Sequence, residues 1–222
     1  MKKTFLHLLL ITVLFVYQAT AQVNNEGPPH SRDSFKISPL HFFIDNTLSM
    51  SYEKMSADIK QVTDKQAGYQ FSGSFTSKKT DNDDGLNKNN TSLSGFGLEF
   101  QYRKYIIRSN MNDPKGFYFN GLYAGPFFSY NRNKYKREFT ENQNTPIAIN
   151  INQSEILNSY SAGAIFGVQF SIEDKFFLDL YVGGGARHNV SEGDKISPRS
   201  NFLDVGYSGV LPKLGFDLGV GF

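Results

Sequence analysis

The last part of the chain alternates regularly between apolar residues and small or polar ones. From position 214 onward every second residue is apolar, and glycine or aspartate stands between; the apolar set is Leu214, Phe216, Leu218, Val220 and Phe222. Side chains along a β-strand point alternately to its two faces, so this period of two predicts a strand with one apolar face. At the edge of a soluble sheet such a strand invites edge-to-edge pairing. The pattern therefore favours an apolar face covered by lipid and an edge closed by another strand.

The same alternation, or a short apolar run bounded by turn residues, recurs along the chain and predicts eight strands. They cover residues 35–44, 47–55, 66–77, 92–105, 117–130, 155–172, 176–188 and 209–222. Segment 92–105 alternates most clearly, whereas segment 117–130 is apolar on both faces, which leaves its phase open. Beyond residue 21 no apolar stretch is long enough for a membrane-spanning helix, so any membrane insertion must use strands.

The connections between these segments vary in length in a regular way. Short turns are predicted at 45–46 and 173–175, medium connections at 56–65 and 106–115, and long polar loops at 78–91, 131–154 and 189–207. Transmembrane barrels carry short periplasmic turns at one rim and longer loops at the other. Placing the three long loops outside puts both termini at the periplasmic rim, which requires an even number of strands. We therefore expect an all-β fold, an eight-stranded antiparallel transmembrane β-barrel with up-and-down meander topology.

A soluble lipocalin-like barrel has the same strand number and the same alternation, with the apolar face turned inward. Two features favour the membrane barrel. The polar faces are rich in Gly and Ser rather than in the Lys and Glu that solubilise a surface. Tyrosines recur near the predicted strand ends, as an interfacial aromatic girdle would; they are Tyr52, Tyr102, Tyr105, Tyr118, Tyr130 and Tyr160.

The beginning of the chain has the features of a secretory signal peptide. Lys2 and Lys3 precede an apolar run over residues 5–16, and the small residues Ala19 and Ala21 frame a cleavage site. We expect a signal peptide over residues 1–21, a disordered periplasmic leader over 22–34, and the barrel over 35–222. The protein is accordingly expected in the outer membrane of a Gram-negative bacterium.

Composition narrows the function classes. The chain has no Cys, which argues against a lipoprotein and a disulfide scaffold. Without Lys2 and Lys3, the remaining 21 basic residues (23 − 2) equal the 21 acidic ones, so the exported chain is formally neutral. A nucleic-acid partner would normally leave a basic excess, and none is expected here.

Several motifs together resemble the small outer-membrane β-barrels of Gram-negative bacteria, in particular exported Bacteroidetes barrels of about 20 kDa grouped as a domain of unknown function. The motifs are Leu48-Ser-Met-Ser-Tyr-Glu53, Gln101-Tyr-Arg-Lys-Tyr105 with Gly116-Phe-Tyr-Phe, Leu180-Tyr-Val-Gly-Gly-Gly185 and Gly215-Phe-Asp-Leu-Gly-Val-Gly-Phe222. The resemblance implies that outer-membrane lipid and lipopolysaccharide surround the barrel. It also implies that the barrel-assembly machinery recognises the closing strand, with Phe222, Val220 and Leu218 as the assembly signal.

The predicted inner face collects charged residues of both signs: Glu53, Glu99, Arg103, Asp179, Arg187, Lys213 and Asp217. The interior of an eight-stranded barrel is just wide enough for side chains to fill it. Opposite charges in that space should pair, because an unpaired buried charge is costly. We therefore favour a salt-bridged plug over an ion pathway. Glu53 and Arg103 are expected near the periplasmic end and within pairing distance.

Three further motifs have weak chemical interpretations. Glycines 183–185 lack the following helix of a phosphate loop and are better explained as strand kinks. The cluster at 81–85 lacks the ligand spacing of a calcium loop. We therefore expect no cofactor and no metal site. His188, with Ser191, Glu192 or Asp194 nearby in sequence, could act as a general base at the outer leaflet, although a solvated histidine is the simpler interpretation.

These patterns together predict a non-catalytic outer-membrane β-barrel with a structural or surface-binding (adhesion) role. An extracellular ligand would bind through loops 78–91, 131–154 and 189–207. The alternative is an outer-leaflet lipid A-modifying enzyme that uses His188. A soluble lipocalin-like ligand-binding barrel is third.

Overall fold

The computed structural model describes residues 33–55, 67–83, 88–108, 121–141, 149–172, 176–201 and 204–222. These residues form the strands β1 (Asp33–Ile37), β2 (Thr47–Met55), β3 (Ala67–Asp83), β4 (Lys88–Arg108), β5 (Gly121–Glu141), β6 (Ile149–Ser171), β7 (Phe176–Gly193) and β8 (Gly209–Gly221). One short helix, α1 (Pro39–Asp45), lies between β1 and β2. The predicted signal peptide and most of the predicted leader lie outside the described residues.

Each strand pairs antiparallel with the next, and β1 pairs antiparallel with β8, so the described strands form a closed barrel. This confirms the predicted all-β meander of eight antiparallel strands in a ring. At the closing seam Phe35 lies opposite Val220 and Ile37 opposite Leu218. The backbone of Phe222 extends the seam, since its N–H donates to the carbonyl of Asp33 at 2.9 Å.

The first predicted strand, 35–44, is wrong in its second half. β1 begins two residues earlier than expected, at Asp33, and ends at Ile37, after which α1 follows. Pro39 occupies the first turn of α1, where its missing N–H leaves no hydrogen bond unmade. The helix ends at Asn46, whose left-handed backbone (φ 50°) donates its N–H to the carbonyl of Phe42. An apolar run without alternation does not distinguish such a helical turn from a strand.

The predicted long loops are mostly strand. β3 and β4 remain paired up to Asp83 opposite Lys88, which reduces the predicted loop 78–91 to residues 84–87, outside the described part. β5 and β6 remain paired up to Glu141 opposite Ile149, so the predicted loop 131–154 is also largely ladder. Loop 189–207 begins only after Gly193. These extensions consist mostly of polar residues, with few apolar side chains such as Phe139, Ile149 and Ile151, which is why their sequence is typical of a loop.

The alternation of burial shows which face points inward. In β2, Ser51, Glu53 and Met55 are buried, whereas the intervening Tyr52 is exposed. In β8, Asp217 is 1 % exposed and its neighbour Leu218 39 %. The apolar faces therefore point out of the barrel and the polar faces point in. Residues 117–120 of the predicted strand 117–130 lie outside the described residues. For residues 121–130 the structure settles the open phase, with Tyr123 buried and the aliphatic and aromatic residues at even positions facing outward.

Three inward aromatic side chains each lie over a glycine directly opposite on the next strand. Tyr123 faces Gly167, and the two other pairs are Tyr181 with Gly215 and Phe177 with Gly219. A Cβ atom at any of these glycines would collide with the ring opposite. Glycines in β6 and β8 therefore make room for aromatic rings, which in turn cover the bare backbone.

The wall of the barrel is uneven in height. β1 has 5 residues and β2 has 9, whereas β6 has 23. Above Leu218, β8 has no pairing with β1, and α1 packs there against both β8 and β2. Two backbone hydrogen bonds tie this segment to its neighbours, from Ser38 N–H to Ser49 and from Ser77 N–H to Asn46.

Candidate functional site

Four charged side chains meet in the barrel interior, and each is 0 % exposed. They come from four strands: Lys36 (β1), Glu53 (β2), Arg103 (β4) and Asp179 (β7). Lys36 Nζ lies 2.6 Å from both Glu53 Oε2 and Asp179 Oδ2. Arg103 Nη1 lies 2.5 Å from Asp179 Oδ2 and 3.4 Å from Glu53 Oε2. Two cations and two carboxylates thus form a formally neutral cluster, which we call the interior quartet.

Two tyrosine hydroxyls complete the hydrogen bonding of the quartet's carboxylates. Tyr123 donates to Asp179 Oδ1 at 2.7 Å. The Tyr105 hydroxyl lies 3.0 Å from Glu53 Oε1 and 2.6 Å from Gln169 Oε1. Tyr105 is 4 % exposed and points inward, so its predicted place in an outer aromatic girdle is wrong. Alternation from Arg103 itself places Tyr105 on the inner face, and the irregularity in the β4–β5 register lies beyond it, between Tyr105 and Ile107.

Buried amides link the charged groups further. Gln169 donates from Nε2 to Glu53 Oε2 and to Asp179 Oδ2, both at 3.0 Å. Gln101 accepts at Oε1 a hydrogen bond of 2.8 Å from Arg103 Nε. Each carboxylate and each cation of the quartet therefore has several partners, as a buried charge requires.

Aromatic rings flank the cations of the interior. The guanidinium carbon of Arg103 lies 4.4 Å from the ring centre of Tyr123, and Lys36 Nζ lies 5.3 Å from that of Phe177. Cations over ring faces at these distances gain electrostatic attraction, more so when both groups are removed from water. The rings that cover glycines in the wall also pack against the quartet. The lower interior is therefore filled by side chains.

A second ion pair and a less well paired acid lie near the quartet. Lys213 Nζ lies 2.7 Å from Glu99 Oε2, and both side chains are 16 % exposed. Asp217 stands directly opposite Asp179 in the β7–β8 register and accepts a hydrogen bond from Ser38 Oγ. The second oxygen of Asp217, Oδ2, is buried and has no hydrogen-bond partner among the described residues.

Arg187 does not belong to this cluster, contrary to the prediction. Its Nη1 donates at 3.1 Å to the backbone carbonyl of Asp204, in the segment that connects β7 to β8. Arg187 lies eight residues further along β7 than Asp179, toward the rim of the long connections. Alternation assigns a residue to a face of the sheet but does not give its position along the barrel axis. Arg187 and Asp179 share the inner face of β7 but are too far apart along the strand for contact.

The segment after β7 folds back onto the inner face of β6. Glu155, which is 0 % exposed, accepts hydrogen bonds at Oε2 from the backbone N–H groups of Ile196 (2.9 Å) and Ser197 (2.7 Å). Its other oxygen is paired with Arg199. Part of the predicted binding loop 189–207 is therefore held inside the upper rim by one carboxylate.

No protein-family model, no curated protein and no solved structure matches this chain. The fold therefore rests on the strand pairing itself. The resemblance to exported Bacteroidetes barrels stays a prediction.

The His188 group is not assembled in the structure. His188 is exposed on the outer face of β7, and alternation places Ser191 on the opposite face of the same strand. Glu192 accepts a long hydrogen bond (3.5 Å) from Asn158. Among the described residues, no hydrogen bond joins His188 to Ser191, Glu192 or Asp194.

Other candidate sites are equally sparse in the part of the chain that the structure describes. No group of three or more His, Cys, Asp or Glu side chains there is placed to hold a metal ion. No helix there is long and apolar enough to cross a membrane.

Sequence reasoning missed several members of the interior. The apolar character of residues 35–44 hides Lys36, although the buried Ser34 and Ser38 on either side give it the required period of two. Glu155 and Gln169 lie on the inner face of β6 and could have been found from the same alternation. The inward position of Tyr123 had no such signal, since both faces of its segment are apolar.

Proposed function

We propose that this chain is a non-catalytic β-barrel of the outer membrane of a Gram-negative bacterium, closed in its interior and exposing its upper strands for structural or binding roles. The observation that carries the proposal is a continuous apolar outer surface around a charged, filled interior.

The outward positions are apolar on strand after strand. Among the most exposed are Phe75 (68 %), Leu98 (59 %), Val182 (61 %), Val210 (74 %) and Leu214 (57 %). Soluble monomers rarely expose contiguous apolar patches larger than a few hundred Å². A barrel whose whole circumference is apolar fits a lipid environment, where that surface requires no further partner.

The height of this apolar band suits a bilayer. Along β4 the outward residues from Phe96 to Tyr102 are aromatic or aliphatic, with Ser94 above and Lys104 below. The ten residue steps between these polar positions cover about 33 Å along the strand, or roughly 25 Å along the axis of a barrel with a strand tilt near 40°. Known transmembrane barrels carry an outer apolar band of about 25 Å.

The interior argues against a soluble ligand-binding barrel. Lipocalin-like barrels hold a ligand inside the barrel, whereas here the interior quartet and its tyrosine and glutamine partners fill the lower interior. The same packing argues against an ion pathway. A role at the surface is therefore favoured over transport.

The proposed binding surface is the part of the wall above the apolar band. β3 and β4, and β5 and β6, continue as paired polar ladders beyond the band, up to Asp83 and Glu141. Such ladders hold side chains in fixed register, so they present a more rigid surface than the predicted loops would. Residues 196–199, held by Glu155, add a further fixed element at the same rim.

Fractionation of an expressing Gram-negative strain tests the proposal. We expect the chain in the outer-membrane fraction, with a faster gel mobility before boiling than after. Leu98→Arg should destabilise the folded barrel by about 2–4 kcal/mol, because it places a charge near the middle of the apolar band, whereas the matched control Ser94→Arg should cost about 0–1 kcal/mol. Recovery of the wild-type chain as a soluble protein would overturn the proposal.

A further inference from the structure

We propose that the outer face of β5, just above the apolar band, binds the phosphate groups of anionic lipid headgroups in the surrounding outer leaflet. This inference rests on the proposed membrane location. The surface consists of Arg132, Lys134 and Lys136, which we call the β5 basic stripe.

The stripe is made by the alternation of β5 itself. Arg132, Lys134 and Lys136 occupy three successive outward positions, and all three side chains are exposed. Successive outward residues lie about 7 Å apart along a strand, so the three charges extend over about 13 Å of the outer surface. Lys79 adds a fourth charge at the height of Lys136, because both residues lie opposite Ser92 of the intervening β4.

No side chain directly opposite the stripe on β4 or β6 compensates its charges. On β4 the residues opposite the stripe are Phe96, Ser94 and Ser92; on β6 they are Asn158, Ile156 and Ser154. None of these carries a carboxylate. Among the described residues, no carboxylate lies within ion-pair distance of Arg132, Lys134, Lys136 or Lys79. The nearest outward carboxylates are Glu138, at the next outward position of β5, and Glu192 of β7, opposite Ile156; neither forms an ion pair with the stripe, which leaves a positive field that attracts anions.

A cluster of outward aromatic rings lies directly below the stripe and indicates that the stripe is at the level of the lipid headgroups. Tyr130 is the outward residue that precedes Arg132, and its ring centre lies 5.2 Å from that of Tyr160 and 6.2 Å from that of Phe96. The Tyr130 hydroxyl turns upward and donates to Asn158 Oδ1 at 2.9 Å. Tyrosines with a lipid-facing ring and a polar tip mark the membrane interface, which is where lipid phosphates lie.

The stripe occupies one side of the barrel only. At the level of the stripe, the outer face of β7 carries Val190 and Glu192, which lie opposite Asn158 and Ile156. Lipid phosphate is therefore expected against β3 to β6 and not around the whole circumference. Localised cations beside an apolar wall suit an anion that carries acyl chains, because the chains can lie on the wall while the phosphate meets the cations.

Binding of purified diphosphorylated lipid A to the full chain, refolded in zwitterionic detergent, tests this site. The test variant is Arg132→Gln/Lys134→Gln/Lys136→Gln, and the matched control is Lys54→Gln/Lys104→Gln, which removes exposed outward charges at the opposite end of the wall. We expect affinity that falls with salt, about 100-fold weaker binding by the triple variant, and unchanged binding by the control. Inorganic phosphate alone should compete poorly.

The outcomes separate the two proposals. A triple variant that keeps the heat-modifiable mobility of a folded barrel and binds lipid A as tightly as wild type would overturn the lipid site alone. Equal weakening in the Lys54 and Lys104 control would overturn it as well, since any loss of charge would then suffice. Inorganic phosphate that displaces lipid A at similar concentration would show a free-anion site instead. A wild-type chain without heat-modifiable mobility would overturn the membrane proposal and this inference with it.

Discussion

Arg103 on β4 and Asp179 on β7 are 76 residues apart in sequence, and their side chains meet inside the barrel with 2.5 Å between Nη1 and Oδ2. The two strands are separated by two others in the ring, so the contact joins distant parts of the wall through the interior. Both side chains are fully buried, which makes each of them dependent on the other.

Removing either partner alone should therefore be costly. Arg103→Met and Asp179→Asn should each lower the free energy of unfolding by about 3–5 kcal/mol, because each leaves the quartet with an uncompensated buried charge. The double variant restores neutrality and should lose clearly less than the sum of the two. Urea titration of the barrel in vesicles measures all three. Strictly additive losses would contradict a coupled quartet.

Neutralising Asp217 should stabilise the barrel, in contrast to the loss expected for Arg103 and Asp179. Asp217→Asn removes a buried charge that faces Asp179 across β7 and β8 and has one unpartnered oxygen, so we expect a gain of about 1–2 kcal/mol. The control is Glu99→Gln, which leaves Lys213 without its ion-pair partner and should destabilise slightly. Unfolding titrations in which both variants are more stable than wild type, or both less stable, would refute this contrast.

The ring-over-glycine pairs predict a compensating substitution. Gly219→Ala should cost about 1–3 kcal/mol, because its methyl group would collide with the Phe177 ring. Adding Phe177→Leu should recover part of that loss by freeing the space. Gly73→Ala serves as the control, since no atom lies within 4 Å of the Cβ that it would add. Folding yield and urea midpoint report both effects. A double variant that loses more stability than the sum of the two single losses would argue against the pairing.

The segment after β7 should depend on Glu155. In Glu155→Gln the backbone N–H groups of Ile196 and Ser197 lose a charged acceptor, and each such hydrogen bond contributes about 1.5–3 kcal/mol. Hydrogen exchange in residues 194–201 should accelerate by at least about tenfold. Glu138→Gln, an exposed position on β5, should leave the exchange of these residues unchanged. Unaltered exchange in the Glu155 variant would show that other contacts hold the segment.

Alternation was sufficient for the strands whose two faces differ. β2, β4 and β8 were assigned the correct inner and outer faces because apolar residues such as Leu98 and Leu218 alternate with Gly, Ser or charged residues. The strand count and meander followed from the same pattern. Glu53 and Arg103, both found on the inner face from sequence, lie in contact.

The pattern fails above the apolar band. The upper ladders have mostly polar outer faces, so residues such as Lys78 and Asn90 show no apolar period and their sequence predicts a loop. α1 occupies the second half of a predicted strand. The sequence there is an apolar run without alternation, which does not distinguish a helix from a strand. Tyr105 was placed outside because proximity to a strand end does not indicate which way a ring points.

The unequal wall has a mechanical consequence. The seam between β1 and β8 is paired only from Asp33 to Ile37, whereas the β5–β6 ladder runs from Gly121 to Glu141. The seam also joins the two ends of the described chain, so its closure has the largest loop entropy to overcome and should come late in folding. Under a pulling force or during transient opening, the ring should therefore separate at this seam first. Lys36 lies in β1 at the seam, and its buried ion pair with Asp179 of β7 opposes that separation from the interior.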